Sequence, residues 1–496
     1  MASESALADR RTAFDGSAAV HCDQAIFSSV RTPVGQGYQV VAASGGLTAN
    51  EKRDITTRSP SHGGLCEDGQ DATGMAFYKL SSGRVCLACS RDAGAEHTGR
   101  GVRRIYTHIT VLTVEDFARF AFSPFSLVLA IEQTGALEVQ LTPPRVLELL
   151  KVRTPEEVEN GPVSGVLGAF GTGWIAYALS VVLGGRRLVI GGNSDPFEWV
   201  AAVMLGVPGP LRADVSFSAG LRFSVGRQYA MTVVNGNLNP TRRLVRGQRL
   251  EYLEPKAGAA APRHADSPWL QMVTRRYERS GGAGVAAIAS RAIPDCSPEG
   301  LDRIGAIGCA MDAVKTAEER ELLAMADDVL IADPVNDFEA GLTRELLAEA
   351  QSRLCRRLRT DGRIDSCWSE LLSLLGRNRP SADFALSLVG VALEWLGSRA
   401  PIRAAAYGLE AARAATDAVI AQRLEPHLAA VLQNLQGWVS VASLDDVKRV
   451  RGVLSEWCIR VPRLAAVGTV LAQIESRLGG PSPVTGTSHG SDAFRA

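Results

Sequence analysis

Residues 75–90, MAFYKLSSGRVCLACS, predict a β-hairpin. Two runs of apolar and β-favouring side chains, at 75–80 and 84–90, flank the turn sequence Ser81-Ser82-Gly83. Further short runs of the same kind, each bounded by Gly, Pro or Ser, predict strands at 25–31, 38–44 and 104–112. A sheet is therefore predicted for this part of the chain.

A capping-box sequence, Thr48-Ala49-Asn50-Glu51, predicts a helix that runs to about Arg58 between these strands. Hairpins mixed with short helices, without strict alternation of strand and helix, are typical of an α+β domain. We therefore predict an N-terminal α+β domain at residues 18–150, preceded by a disordered tail at 1–17.

A middle α/β domain is predicted at residues 151–255. A buried strand at 188–192 is followed by Asn193-Ser194-Asp195-Pro196, a helix start with Ser194 or Asp195 as the cap. The preceding segment, 160–185, is uncharged and about as long as a membrane span, which leaves that alternative open. Its glycines and polar residues, and the strand after it, favour a helix of an α/β domain.

The remainder of the chain is rich in Ala, Leu, Glu and Arg, with apolar residues at the three- and four-residue spacing of amphipathic helices. Prolines divide it into helices of ordinary length, and no fixed repeat aligns. We predict a linker at 256–268, an all-α helical domain at 269–478 and a disordered tail at 479–496. The fold class is thus α+β multidomain, and its helical part is of a kind that often binds other proteins.

The 496 residues carry 53 basic and 53 acidic side chains, so no overall field recruits nucleic acid or an anionic membrane. The first thirty residues lack the pattern of a signal peptide, and the nine cysteines are scattered. We therefore expect a cytoplasmic protein without a disulfide framework.

Three histidines of the predicted N-terminal domain, His62, His97 and His108, lie in polar phrases, and glycines follow the first two closely. Histidine titrates near neutral pH, so an enzyme active site would be sought here. Glu96 or His97 would be the base and Cys66 the nucleophile, while Arg100 would hold an anion. No spacing matches a catalytic motif, so residues that pin loops or contact a partner are the favoured interpretation. A hydrolase-like enzyme is the alternative.

A C-x-x-C pair, Cys86 and Cys89, could bind zinc if His62 and Cys66 completed the ligand set. On a strand, however, residues three apart point to opposite faces, so buried cysteines acting as small apolar side chains are favoured. We expect no metal and no cofactor.

Hydrolysis of nucleoside triphosphates is also not expected. The chain contains no G-x-x-x-x-G-K-[ST] motif, and its glycine turn at 191–193 leads into Asp195 and Glu198. Acidic groups at a helix N-terminus repel phosphate there.

Two ordered sets of phrases resemble one known family. The first set is QAIF at 24–27, GYQVVA at 37–42, RSPSHGGL at 58–65, AEHTGRG at 95–101 and YTH at 106–108. The second is RLVIGG at 187–192, Trp199, Leu211-Arg212 and VSFSAGL at 215–221. The first resembles the N-terminal domain, type two, of the bacterial GTPase-associated protein 1 family, and the second resembles the middle domain of that family.

This resemblance implies a non-enzymatic adaptor or scaffold with no assigned catalytic residues. It implies that the partners are a small GTPase and other proteins encoded with it, in a bacterial conflict (defence) or signalling system, and it makes a membrane span less expected. With the balanced charge, we predict no nucleic-acid partner and no membrane partner. The protein would couple the nucleotide state of the GTPase to an effector. The predicted contact residues are Arg58, His62, Glu96, His97, Arg100, Tyr106 and His108.

Overall fold

A computed structural model describes most of the chain. The described residues are 19–32, 35–61, 63–67, 72–95, 103–140, 142–156, 158, 160–264, 266–332, 334–360, 364–461 and 464–479. Residue contacts divide the chain into two compact units, which meet in sequence between Cys309 and Ala310.

The first unit begins with five long strands that pair with antiparallel neighbours. They are β1 (Ala19–Thr32), β2 (Gly35–Ser44), β3 (Thr73–Lys79), β4 (Val85–Ala95) and β5 (Arg103–Leu112). The predicted hairpin is formed by β3 and β4, with Met75 opposite Cys89 and a turn that includes Gly83 at φ +88°. Two short strands, β6 (Val146–Leu147) and β7 (Leu150–Arg153), add to β2 and β1 respectively.

Three short helices accompany these strands: α1 (Ala49–Arg58), α2 (Val114–Ala118) and α3 (Pro124–Glu132). The predicted capping box at the start of α1 is present, because the Thr48 hydroxyl accepts from the Glu51 N–H while the Glu51 carboxylate accepts from the Thr48 N–H. Ile55 of α1 packs against one face of the sheet with Ile105 and Ile109. The predicted α+β character of this region is confirmed.

Four more strands of the first unit run parallel to one another. They are β8 (Leu188–Gly192), β9 (Phe217–Ala219), β10 (Met231–Asn235) and β11 (Glu251–Leu253). β9 also pairs antiparallel with β3, which produces one sheet in the order β11-β8-β10-β9-β3-β4-β5-β1-β2-β6. The predicted N-terminal and middle domains therefore share a sheet, a long-range pairing that local sequence patterns do not specify.

Several helices accompany the parallel strands. They are α4 (Ser164–Phe170), α5 (Thr172–Leu183), α6 (Pro196–Gly206), α7 (Gly209–Arg212), α8 (Asn239–Val245) and α9 (Pro268–Ala289). α9 packs on α5 and α6 within the first unit, although it follows the predicted linker. Arg212 is buried and donates hydrogen bonds of 2.8 and 3.0 Å to the carbonyls of Val207 and Leu205, at the end of α6.

The uncharged segment 160–185 forms α4 and α5, whose axes meet at 110°. Most of the side chains of α5 are buried, including Trp174, Ile175 and Leu179. Within the described residues no single helix is long and apolar enough to cross a membrane, while this bent pair meets the criteria of length and composition only when both helices are taken together.

The second unit is all-helical, as predicted. After α10 (Pro298–Val314), which contributes its last residues, the helices are α11 (Glu319–Ile331), α12 (Asp337–Thr360), α13 (Ile364–Leu375), α14 (Arg379–Arg399), α15 (Pro401–Ala414), α16 (Ala418–Val439), α17 (Leu444–Arg460) and α18 (Ala465–Arg477).

Each helix from α11 to α16 packs on the helix two positions further along the chain. Odd- and even-numbered helices therefore form two layers, as in stacked helical-hairpin arrays. The core between the layers includes Leu388, Leu432 and Trp457, which are fully buried. The array is a structural repeat even though no repeat aligns in the sequence, because many different apolar side chains can fill equivalent core positions.

Candidate functional site

A cleft of about 680 Å³ lies in the first unit, where the end of α1 meets the loop after β9 and the start of α8. Its volume is in the range of small-molecule sites. The lining residues are Thr57, Ser59, Ser61, Gly63, Gly64, Cys66, Arg222, Phe223, Ser224, Gly226, Arg227, Val234, Asn235, Asn237, Pro240, Thr241 and Leu244.

Backbone hydrogen bonds hold the two walls of the cleft together. The Arg222 N–H donates to the Gly64 carbonyl and the Cys66 N–H donates to the Gly220 carbonyl, both at 2.9 Å. The Tyr229 hydroxyl adds a bond of 3.0 Å to the Arg58 carbonyl at the end of α1. Both the predicted N-terminal and middle domains therefore contribute to the cleft.

The cleft lies at the carboxyl end of β10, where Val234 and Asn235 line its floor. β10 lies between β9 and β8, and the next strand in sequence, β11, is placed beyond β8. The connection after β8 therefore crosses the sheet towards β9, whereas the connection after β10 crosses it in the opposite direction, towards β11. Ligands of parallel sheets bind at such reversals of strand order, outside the carboxyl ends of the strands. The reversal lies between β8 and β10, and the larger cleft adjoins it on the β10 side.

A smaller cleft of about 280 Å³ adjoins the carboxyl ends of β8 and β10. It is lined by two acidic residues, Glu67 and Asp195, and it shares Asn235 with the larger cleft. The Asn235 amide N–H donates to the Glu67 carboxylate. The larger cleft, by contrast, is lined by Arg222 and Arg227, so the two clefts differ in the sign of their charge.

The acidic residues after β8 accept hydrogen bonds from the first turns of two helices. Asp195 accepts from the Phe197 N–H at 2.8 Å and caps α6. Glu198 accepts from the Val166 N–H at 2.8 Å, in the first turn of α4. Both carboxylates thereby satisfy helical N–H groups of this chain.

Cys66 lines the larger cleft, where burial raises the pKa of its thiol. Because the thiolate is the reactive form of cysteine, the raised pKa disfavours the nucleophilic role considered for Cys66. Burial also raises the pKa values of Cys86 and Cys89 in β4 to about 12. Among the described residues no group of three metal-ligating side chains comes together.

The predicted contact residues are placed as follows. Arg58 is half-buried, donates to the Lys79 carbonyl at 3.3 Å and lies 4.7 Å above the Tyr78 ring, so it joins α1 to the hairpin beside the cleft. Tyr106 and His108 lie on β5, at 2% and 3% exposure. His62, Glu96, His97 and Arg100 lie outside the described residues, and their predicted roles remain predictions.

Tyr106 and Arg58 lie on opposite sides of the sheet. Tyr106 packs with Ile26 and Ala42, whereas Ile55 of α1 packs with Ala25 and other residues of the opposite face. The side chains of Tyr106 and His108 are therefore inaccessible to a partner protein in this structure. They form no common surface with Arg58.

Three cleft residues, Ser59, Arg227 and Asn235, were not among the predicted contact residues. Ser59 belongs to the RSPSHGGL phrase, so a weak signal was present there. Arg227 and Asn235 follow the VSFSAGL phrase, and long-range contacts, among them the pairing of β9 with β3, bring them beside Ser59. The spacing of residues within a short stretch of sequence does not predict such a long-range pairing.

Residues 21–149 match the family model for GTPase-associated protein 1, N-terminal domain type 2. This match confirms the first part of the resemblance seen in the sequence, while the resemblance of the middle domain remains a prediction. No curated protein matches the chain. The match extends over β1 to β5 and includes the wall of the cleft formed by residues 57–66.

Proposed function

We propose that this protein is a non-enzymatic adaptor that binds a small GTPase and other proteins encoded with it, in the cytoplasm, as part of a bacterial conflict or signalling system. The family match over residues 21–149 carries this proposal, because the name of the family associates its members with a GTPase. The adaptor couples the nucleotide state of the GTPase to an effector.

The architecture of the second unit supports the adaptor role. Its helices form a two-layered array in which each repeat contributes to a continuous surface. Arrays of this kind bind proteins over several repeats, and the balanced charge of the chain places recognition in local apolar and polar contacts rather than in a long-range field.

Capture of partners by the tagged full-length protein from its native cells tests the proposal. The lysate is divided and supplied with either GDP or a non-hydrolysable GTP analogue, and captured proteins are identified by mass spectrometry. We expect a small GTPase to be recovered in amounts that differ between the two nucleotides. Recovery of no GTPase in either state would contradict the adaptor function.

A double variant, His62→Ala with His97→Ala, separates the adaptor from the hydrolase-like alternative. Both histidines belong to the predicted contact set, so an adaptor is expected to lose capture of the GTPase. The matched control is His21→Ala, which removes an exposed histidine of the same region. A double variant that keeps full capture but loses a hydrolytic activity of the wild type would support the enzyme instead.

A further inference from the structure

Arg227 places a positive charge in the wall of the larger cleft, close to a second cation, Arg222. Arg227 is half-buried, and its guanidinium donates to the Arg222 carbonyl at 2.7 Å. Burial lowers the pKa of Arg227, because a half-buried guanidinium is less well solvated than an exposed one. Within the described part of the chain, no carboxylate forms an ion pair with Arg227.

Acidic side chains are also missing from the described lining of this cleft, which otherwise consists of hydroxyl, amide, glycine and apolar residues. A cation that is withdrawn from water without a counterion is unfavourable, and an anionic ligand would compensate it. The acidic smaller cleft next to it would repel the same ligand. Among the described residues, the distribution of charge therefore favours an anion in the larger cleft.

Two buried polar atoms of the cleft residues indicate which groups the ligand carries besides its anionic group. The Ser59 hydroxyl and the Asn235 side-chain oxygen are both buried, and neither has a hydrogen-bond partner among the described residues. Buried polar groups are normally paired, so both atoms are available to a bound molecule. The Asn235 oxygen can only accept, so a ligand that carries a hydroxyl or amino donor in addition to its anionic group would satisfy it.

The remaining walls suit an organic ligand. Phe223 and Val234 supply apolar surface on one side, and Leu244 lies at the mouth with 44% exposure. Gly63, Gly64 and Gly226 let the backbone approach a ligand closely. A volume of about 680 Å³ exceeds what inorganic phosphate needs and accommodates a sugar or nucleoside.

We propose that this cleft binds a phosphorylated small molecule of nucleotide size, with its phosphate at Arg227 and Arg222 and a hydroxyl or amino group at Asn235. The site is independent of the proposed GTPase partner, since it is built from the cleft residues of this chain alone. Binding requires no chemical step.

Isothermal titration calorimetry on the full-length protein tests the site with the common ribonucleoside monophosphates, ribose 5-phosphate, inorganic phosphate and adenosine. We expect at least one of the organic phosphates to bind at least tenfold more tightly than inorganic phosphate and adenosine. Absence of binding by every organic phosphate at millimolar concentration would overturn the proposal. Equal affinities for the organic phosphate and for inorganic phosphate, or for the nucleotide and adenosine, would overturn it as well.

Variants locate the ligand. Arg227→Gln removes the half-buried charge and should weaken binding of the organic phosphate at least tenfold, whereas Arg249→Gln, an exposed arginine that does not line the cleft, should leave the affinity unchanged. Ser59→Ala removes only one hydroxyl and should weaken binding several-fold even if Arg227→Gln fails to fold. The location would be contradicted if Ser59→Ala bound with wild-type affinity and Arg227→Gln either did the same or failed to fold.

Discussion

His108 is an ionisable residue enclosed in the sheet. Its Nε2 lies 3.0 Å from the side-chain oxygen of Gln24, and burial lowers the pKa of its imidazole to about 4 from an ordinary 6.5. The ring is therefore neutral at pH 7, and Nε2–H donates to Gln24. A side chain that resembles a catalytic histidine in the sequence instead pairs β5 with β1.

This burial predicts a pH-dependent stability. Between pH 6.5 and pH 4 the unfolded chain binds a proton at His108 that the folded chain does not, so stability is lost as the pH falls through this window. From pH 7 to pH 5 the loss attributable to His108 is about 2 kcal/mol. Urea denaturation at the two pH values measures it.

The matched variant for this prediction is His108→Gln, which retains a donor towards Gln24 but does not titrate. Its free energy of unfolding should fall by about 2 kcal/mol less than that of the wild type over the same pH interval. An identical pH dependence in wild type and variant would assign the effect to other groups.

Local determinants made some residues predictable and others not. The capping box at Thr48 and Glu51 was predicted correctly because both partners lie within one helical turn. Tyr106 and His108 were predicted to be contact residues because they belong to a polar phrase, and the polarity of that phrase does not reveal that both side chains are covered. Their side chains are buried by segments that are distant in the sequence.

The pairing of β3 with β9 is the element-scale feature that creates both the shared sheet and the candidate cleft. Gly220 follows β9 directly, with φ +69°, and a Cβ atom there would lie 2.5 Å from the Thr73 carbonyl oxygen. Because that oxygen belongs to the backbone of β3, no side-chain movement can relieve the contact. Glycine is therefore required for β9 to lie this close to β3.

Gly220→Ala is expected to destabilise the first unit by at least about 2 kcal/mol, from backbone strain and from the contact with Thr73. Gly83→Ala is the matched control, because Gly83 also has a positive φ (+88°) but has open space around its Cβ position. The control should lose only about 1 kcal/mol. Thermal or urea denaturation gives both values, and equal losses would contradict the steric explanation.

At the scale of elements, the sequence predicted the hairpin, α1 and β8 but not their arrangement. The spacing of apolar residues and the turn residues are local signals, so they predict single strands and helices. β9 is only three residues long, and its place next to β3 depends on a long-range pairing. The cleft could not be predicted for the same reason, since its two walls come from residues 57–66 and 220–244.

At the scale of the whole molecule, the chain contains two compact units with separate cores. Trp457 anchors the core of the second unit: it is fully buried, its indole N–H donates to the Ala405 carbonyl at 3.2 Å, and its ring lies against Gly408. The helical array thus depends on a side chain that bridges α15 and α17.

Trp457→Ala should destabilise the second unit by about 3–5 kcal/mol, because it removes a large buried side chain and leaves a cavity. Hydrogen exchange followed by mass spectrometry should show faster exchange in α15 to α18 and unchanged exchange in β3 to β5. Faster exchange of equal size in the sheet would show that the two units unfold together.

The pairing of β3 with β9 also has a consequence for synthesis of the chain on the ribosome. β3 and β4 emerge early, but residues 80–216 must be translated before β9 can cover the free edge of β3. At about 5–20 residues per second, that edge stays open for on the order of ten seconds. A nascent chain in this interval presents an unpaired strand edge, the feature that recruits chaperones or promotes aggregation.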